Sequence, residues 1–154
     1  MRLVVAVVGK ARHPALSEAI RDYEERAARY WPLDVHEVRE ERASGIPVER
    51  VMEREGERLA DKIPDRAQRI TCDVGGKVFT STQFADFLRS ARDEDRDLAF
   101  LIGGAYGLSP VISTRSSMKL SLAPWTLPHE IARLVLAEQI YRAGTIVRGE
   151  PYHK

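Results

Sequence analysis

The sequence is poor in the features that mark several large classes of protein. Its single cysteine, Cys72, excludes an intrachain disulfide framework and a pair of cysteines spaced for a metal ion. No apolar run approaches the roughly 20 residues that a helix needs to cross a bilayer. The opening residues, MRLVVAVVGKARH, lack the small-residue cleavage site of a secretory signal. We therefore expect a cytoplasmic protein with no membrane-spanning helix and no bound metal.

Phosphate-binding fingerprints are also missing. The first apolar run ends in a lone Gly9 rather than in GxGxxG, and neither GxxxxGKS nor GxxxxGKT occurs. The net charge of +1 neither favours nor excludes a nucleic-acid partner. From Lys119 to Lys154, five Lys and Arg stand against three Glu. That mild excess indicates an anionic partner at this end, and ordinary scatter of surface charge is the alternative.

Apolar runs alternate with amphipathic segments along the chain, which predicts an α/β fold. The continuous apolar runs at residues 2–9 and 97–104 are typical of strands buried on both faces of a parallel sheet. Further strands are predicted at residues 33–38, 69–74 and 118–123. No repeat or linker interrupts the pattern, so we expect one domain over residues 1–154, with a mostly parallel sheet and helices on both faces.

Capping residues predict where several helices begin. Ser81 and Ser109 are expected N-caps, and Pro110 fits the first position of a helix. The last helix is expected to begin near Pro128. The Gly75-Gly76 pair is expected to form a turn at the end of its strand.

Three glycines follow the buried strand that ends near Ile102, in the stretch LIGGAYG. Gly103, Gly104 and Gly107 would lie at the carboxyl edge, where open α/β sheets bind ligands. Glycine lets the backbone approach a flat ligand closely. A tight turn that needs glycine only for its geometry is the alternative.

A stiff loop, LAPWTLPH, precedes the last helix. Pro124 and Pro128 fix the backbone and leave the amides of Trp125, Thr126 and Leu127 as donors. Such a loop suits the hydrogen-bonding edge of a heterocycle. The alternative is a capping structure with Thr126 or Leu127 as N-cap and Trp125 as a hydrophobic staple.

The last helix carries apolar residues over more than half of its circumference. A surface helix needs a narrower apolar stripe, so the surplus predicts a partner surface and, most simply, a homodimer. A helix central to the core of one chain is the alternative. The residues concerned are Ile131, Leu134, Val135, Leu136, Ala137, Ile140 and Tyr141.

The chain ends in Pro-Tyr-His-Lys directly after this helix. Tyr152 and His153 offer an aromatic ring, a proton acceptor and a donor, with Arg142, Arg148 and Lys154 near them in sequence. This set fits a phosphate and an unstacked base. A disordered tail is the alternative.

Four ordered motifs, LIGGxxG, SLAxxTLPH, LAEQIYRA and a terminal PYH, resemble those of the bacterial ribosomal RNA large-subunit methyltransferase H family. These SPOUT-class enzymes methylate N3 of a pseudouridine in 23S ribosomal RNA. The resemblance implies an α/β fold with a C-terminal trefoil knot, a homodimer and S-adenosylmethionine as cofactor. Carried over to this chain, it places cofactor contacts at Cys72, Gly104, Ala123, Pro124, Trp125, Thr126, Leu127 and Pro128.

The resemblance also indicates how a methyl group would be transferred. A sulfonium is already electrophilic, so positioning of the base dominates, with help from a proton acceptor. His153 is the candidate for orienting or deprotonating the base, Arg142 for stabilising an anionic ring or phosphate, and Tyr152 for stacking. Cys72 and Tyr106 depart from the residues that the family commonly has. Because the net charge is low, we expect activity on the large subunit or the whole ribosome rather than on free RNA.

Three other readings remain open at this point. The chain could be a SPOUT methyltransferase that acts on another RNA, or a ribosome-associated RNA-binding factor without catalysis. A plain nucleotide-binding α/β domain is the third, although both phosphate-loop signatures are missing.

Overall fold

The computed structural model describes residues 1–154, in which strands and helices alternate strictly. The strands are β1 (Leu3–Val8), β2 (Leu33–Val38), β3 (Gln68–Val78), β4 (Leu98–Ile102) and β5 (Met118–Ser121). The helices are α1 (Pro14–Ala28), α2 (Val48–Ala60), α3 (Ser81–Asp93), α4 (Pro110–Thr114) and α5 (His129–Val147). No helix is both long enough and apolar enough to cross a membrane.

All strand pairs of the five-stranded sheet are parallel, in the order β2-β1-β4-β3-β5. Every residue of β1 and β4 is buried, which explains their uninterrupted apolar sequences. The half-exposed β2 lies at one edge of the sheet. The predicted parallel α/β sheet is therefore confirmed.

Two hydrophobic clusters cover the two faces of the sheet. The larger combines one set of strand side chains with α1, α3 and α5, and the smaller combines the opposite set with α2 and α4. Helices on both faces, as predicted, follow from the alternation of side chains along each strand. The trefoil knot that the resemblance implies stays a prediction.

Helix α5 lies within the larger cluster, and none of its residues is exposed. Its backbone is tied to the end of α1 by Trp31, a fully buried residue whose Nε1 donates to the carbonyl of Ile140 at 3.0 Å. Packing within one chain explains part of the wide apolar surface of α5, including Leu136 and Ile140. Ile131, Leu134 and Val135 are only partly buried and belong to neither cluster, so the homodimer stays a prediction.

The predicted helix starts are partly confirmed. Ser109 caps α4 by accepting a hydrogen bond from the Ile112 amide at 3.3 Å. Helix α3 is capped by Thr80 rather than Ser81, in a capping box with Gln83.

The glycine pair in β3 does not form the predicted turn. Cys72 and Lys77 both pair with Leu120 of β5, so residues 73–76 make a detour while the strand continues to Val78. A Cβ on Gly76 would lie 2.6 Å from the Leu120 carbonyl carbon. Glycine is required here for the close approach of two backbones.

Gly144 provides a test of how tightly α5 is held. Replacing a helical glycine with alanine normally gains about 1 kcal/mol. Here the new Cβ would lie 2.6 Å from Cβ and 2.7 Å from Cδ1 of Tyr30. We expect Gly144→Ala to lower the free energy of unfolding in urea by about 1 kcal/mol or more, because overlap outweighs propensity.

The matched control is Ser90→Ala at an exposed position of α3. It should leave stability unchanged or raise it by about 0.5 kcal/mol. A Gly144→Ala protein as stable as this control would mean that α1 and α5 are less closely packed than described.

Candidate functional site

A cleft of about 600 Å³ opens at the carboxyl edge of the sheet, beside the first turn of α5. The glycine loop after β4, the proline loop after β5 and the detour in β3 form its walls. These three segments meet because the carboxyl ends of parallel neighbouring strands share one edge of the sheet. Seven of the eight residues predicted to contact a cofactor line the cleft, namely Cys72, Gly104, Ala123, Trp125, Thr126, Leu127 and Pro128. Pro124 is not among the lining residues.

The glycine loop folds back on itself and also lines the cleft. The Gly107 amide donates to the Gly104 carbonyl at 3.0 Å, and Gly107 has φ of +82°. A Cβ on Gly103 would lie 2.6 Å from the Gly107 carbonyl carbon. The tight-turn and ligand-wall interpretations therefore hold together, since the same glycines allow the turn and leave bare backbone at the cleft.

The proline loop exposes its central residues. Trp125 is 69% exposed, so it does not act as a hydrophobic staple. The N-cap of α5 is Pro128, with no side-chain hydrogen bond, so neither Thr126 nor Leu127 caps the helix. Ser121 Oγ donates to the Ala123 carbonyl at 2.8 Å and fixes the start of the loop. The capping alternative is thus wrong in detail, and the loop is free to contact a ligand.

Cys72 contributes an uncharged wall. Cys72 is partly buried and lines the cleft, and desolvation of its thiol raises the pKa of Cys72 to about 12. The thiol stays protonated at neutral pH and is a poor nucleophile. Its neighbours in the detour, Asp73 and Val74, also line the cleft, and the sequence analysis did not single them out.

Two buried polar atoms at this edge of the sheet have no hydrogen-bond partner. His129 lines the cleft, and its Nε2 lies 3.8 Å from Glu40 Oε1, too far for a hydrogen bond. Glu55 Oε2 is the other, next to the position that a Cβ on Gly104 would occupy, 2.8 Å away. Burial raises the pKa of Glu55. Only His129 lines the cleft, so its Nε2 is the unsatisfied atom that a bound ligand would pair with.

The C-terminal tail is folded against α5 and α1 rather than disordered. Tyr152 packs on Tyr141 with ring centroids 4.7 Å apart, and its hydroxyl donates to Glu138 Oε1 at 3.1 Å. The guanidinium of Arg142 lies 4.6 Å from the Tyr152 ring centroid and donates to Glu138, and its Nη1 is 3.4 Å from His153 Nδ1. The structure thus brings together the three predicted catalytic residues.

The surroundings of Tyr152 keep its hydroxyl group protonated. Burial, followed by hydrogen bonds with Tyr23 and Glu138, raises the pKa of Tyr152 above its usual range. The hydrogen bond from Arg142 to Glu138 raises the pKa of Arg142. Glu138 therefore anchors the cluster, and sequence reasoning missed it although it lies one helical turn before Arg142.

The tail cluster and the cleft are separated within one chain. Ala132 is the last residue of α5 that lines the cleft, and Arg142 follows ten residues later. At a rise of about 1.5 Å per residue, the two positions lie about 15 Å apart along the helix. The predicted cofactor and catalytic groups thus form two clusters at opposite ends of α5.

Comparison with known proteins identifies the family. The family model described as "Predicted SPOUT methyltransferase" matches residues 1–153. The chain belongs to the SPOUT methyltransferase family. It is 56% identical over 154 residues to the ribosomal RNA large subunit methyltransferase H of Gemmatimonas aurantiaca, covering 100% of both chains. The protein of the same name from Geobacter sp. (strain M21) is 42% identical over 99% of both chains.

These matches confirm the resemblance stated from the four motifs. A solved structure, a probable methylase family protein from Haemophilus influenzae, superposes with a TM-score of 0.56 over 99% of this chain and 70% of that one. At 11% identity, this likeness supports the fold alone. No group of three or more His, Cys, Asp or Glu side chains is arranged to hold a metal ion.

Cys72 gives a direct test of the wall it forms. Because the pKa of Cys72 is raised to about 12, the native protein at pH 8 contains about a thousandfold less thiolate than protein unfolded in urea. The native protein should therefore react with iodoacetamide about a thousandfold more slowly. The protonated thiol is favoured in the fold, so its contribution to stability is present below the ordinary thiol pKa. That contribution is lost as the pH rises toward about 12.

Peptide mapping by mass spectrometry follows the reaction, with Cys72→Ala as the unlabelled control. Equal rates in native and unfolded protein would contradict the raised pKa of Cys72.

Proposed function

We propose that this SPOUT methyltransferase transfers a methyl group from S-adenosylmethionine to N3 of a pseudouridine in 23S ribosomal RNA. Its substrate would be the large subunit or the whole ribosome, in the cytoplasm, and residues 1–154 would act as one domain. The observation that carries the proposal is the cleft in which the glycine and proline loops meet. Relatives that share 42% to 56% of the sequence bear the name ribosomal RNA large subunit methyltransferase H.

The cleft residues fit S-adenosylmethionine. Glycine backbone on one side and Leu127 with Ala123 on the other leave a flat, largely apolar space of about 600 Å³. The exposed Trp125 and Thr126 amides are free to pair with a heterocycle, and His129 Nε2 has an unmet hydrogen bond at the same edge. The cofactor, when bound, supplies a methyl group carried on a positively charged sulfur.

The tail cluster supplies the groups that handle the base. His153 is exposed beside Arg142, so it is available to orient the target ring or accept its N3 proton. Arg142 carries a fixed positive charge next to the place where the deprotonated ring would be negative. Tyr152 stays protonated, so it serves as a packing and hydrogen-bonding partner rather than as a base.

A homodimer would bring the cleft and the tail cluster together in one site. Because about 15 Å of α5 separates them in one chain, the tail of one subunit would complete the cleft of its partner across a twofold axis. The site would then be incomplete in a monomer. This geometry supports the expected homodimer in addition to the partly buried apolar residues Ile131, Leu134 and Val135 of α5.

Two alternatives differ in their chemistry. A non-catalytic ribosome-associated factor would have no use for a cleft that fits S-adenosylmethionine. A SPOUT methyltransferase for another RNA would share the cleft and differ only in where the methyl group is placed.

The decisive experiment supplies labelled S-adenosylmethionine to the protein with ribosomes from a strain that lacks the modification, and then maps the label. We expect one methyl group on N3 of one pseudouridine of 23S ribosomal RNA. Label at another nucleotide would support the second alternative, and no cofactor binding in calorimetry would support the first.

A matched pair of variants ties the result to the cleft. Ala123→Leu places a larger side chain in the cleft and should weaken cofactor binding at least about tenfold, as expected when an overfilled pocket costs more than about 1.4 kcal/mol. Ala28→Leu at the exposed end of α1 should leave binding unchanged.

Subunit mixing tests whether the site is shared. His153→Ala and Ala123→Leu homodimers should each be inactive on ribosomes, the first with normal cofactor binding. In a one-to-one mixture after subunit exchange, half of the dimers are mixed and each has one intact cleft facing one intact tail, so about a quarter of wild-type activity should return. No recovery, with mixed dimers verified by native mass spectrometry, would mean that cleft and tail act within one chain.

A further inference from the structure

Two loops beside the cleft carry a group of cations that the proposed mechanism does not use. They follow β1 and β2, at the same carboxyl edge of the sheet as the cleft. We name the exposed residues Lys10, Arg39 and Arg42 the cleft-edge strip. Lys10 belongs to the first loop, and Arg39 and Arg42 belong to the second.

Direct contacts hold the strip against the cleft. The Gly9 amide donates to the Val38 carbonyl at 2.9 Å, which joins the starts of the two loops. A Cβ on Gly9 would lie 2.9 Å from Nε2 of His129, so Lys10 follows a residue that touches the cleft wall. The Arg12 amide donates to Glu130 Oε1 of α5 at 3.0 Å. The first loop therefore adjoins the cleft, and the second loop adjoins the first.

The acidic residues of these loops are already paired. Glu40 accepts from Arg12 Nη2 at 2.5 Å, and Glu41 is bound by both Arg54 and Arg58. No ion pair involves the side chains of Lys10, Arg39 or Arg42. Three cations therefore remain available to an anionic partner.

Three of the five basic residues near the C-terminus are engaged within the fold, whereas Lys119 and Lys154 are exposed and form no ion pair. Arg133 is buried and bound to Glu24 and Glu37, with Nε 2.7 Å from Glu24 Oε1. Arg142 is paired with Glu138, and Arg148 lies over the Tyr30 ring. Lys10, Arg39 and Arg42 thus add uncompensated charge from the N-terminal half of the chain.

We propose that the cleft-edge strip binds phosphates of the RNA strand that flanks the target nucleotide, an inference that rests on the proposed function and extends it to a docking surface. Three unpaired cations on two adjoining loops fit a phosphate backbone, which presents regularly spaced negative charge. Because Gly9, the residue before Lys10, lies against His129, a strand bound to these loops would run beside the cleft.

The test uses the triple variant K10A/R39A/R42A and large ribosomal subunits from cells that lack the enzyme. The matched control is R29A/K62A/R115A, which removes three exposed cations from the opposite, amino edge of the sheet. Affinity for the subunits is measured by co-sedimentation between about 50 and 200 mM salt, the range over which phosphate contacts change affinity steeply.

We expect the strip variant to bind subunits at least about tenfold more weakly at low salt, and its slope of log affinity against log salt to be smaller by about 2 to 3. The control variant should match the wild type in affinity and slope. Calorimetric binding of S-adenosylmethionine should be equal in all three proteins, because no strip residue lines the cleft.

Unchanged affinity and slope in the strip variant, or equal losses in the control, would overturn the docking inference. Failure of the wild type itself to bind S-adenosylmethionine would instead overturn the proposed function. The two failures are therefore distinguishable.

Discussion

Helix α5 links the cleft at its N-terminus to the tail cluster at its C-terminus, so both depend on how firmly this helix is held. Arg133, one turn after the start of α5, is buried and bound to Glu24 on α1 and Glu37 on β2. Burial alone would lower the pKa of Arg133, but hydrogen bonds with the two carboxylates outweigh it and raise that pKa. Leaving a buried charge without any partner typically costs about 3–5 kcal/mol, so the two carboxylates together hold Arg133 in place. The contact therefore fixes the helix against sliding or rotating.

The two ends of α5 differ in the chemistry they provide. The cleft is lined by backbone, apolar side chains, a thiol that stays protonated and the carboxylate of Asp73, a lining that is compatible with a cationic, partly aromatic ligand. The tail cluster combines an arginine, a histidine and a tyrosine around the carboxylate of Glu138. Under the proposed function, the methyl donor and the RNA base would be bound by different clusters, and each cluster would keep the environment that its charges require.

Much of the fold could be predicted because the signals are local. The apolar runs of β1 and β4 and the Ser109-Pro110 pair indicate buried strands and a helix start by themselves. The meeting of the glycine and proline loops was also predictable, since parallel strands bring their carboxyl ends to one edge. Where prediction failed, the deciding contact is distant in sequence. The Gly75-Gly76 pair is typical of a turn, and only the backbone of Leu120 shows that it serves close strand pairing. Likewise, the burial of Arg133 depends on carboxylates more than ninety residues away.

Strand β3 both pairs with β5 and contributes residues to the cleft, and the detour of residues 73–76 allows it to do both. Ile70 to Cys72 and then Lys77 to Val78 keep their places beside β5, while Asp73 and Val74 are released from pairing and line the cleft. A change in the length of that segment would leave the hydrogen bonds on either side in register. Changes in residues 73–76 would therefore alter the wall of the cleft, and so the ligands that it accepts, without disturbing the two hydrophobic clusters.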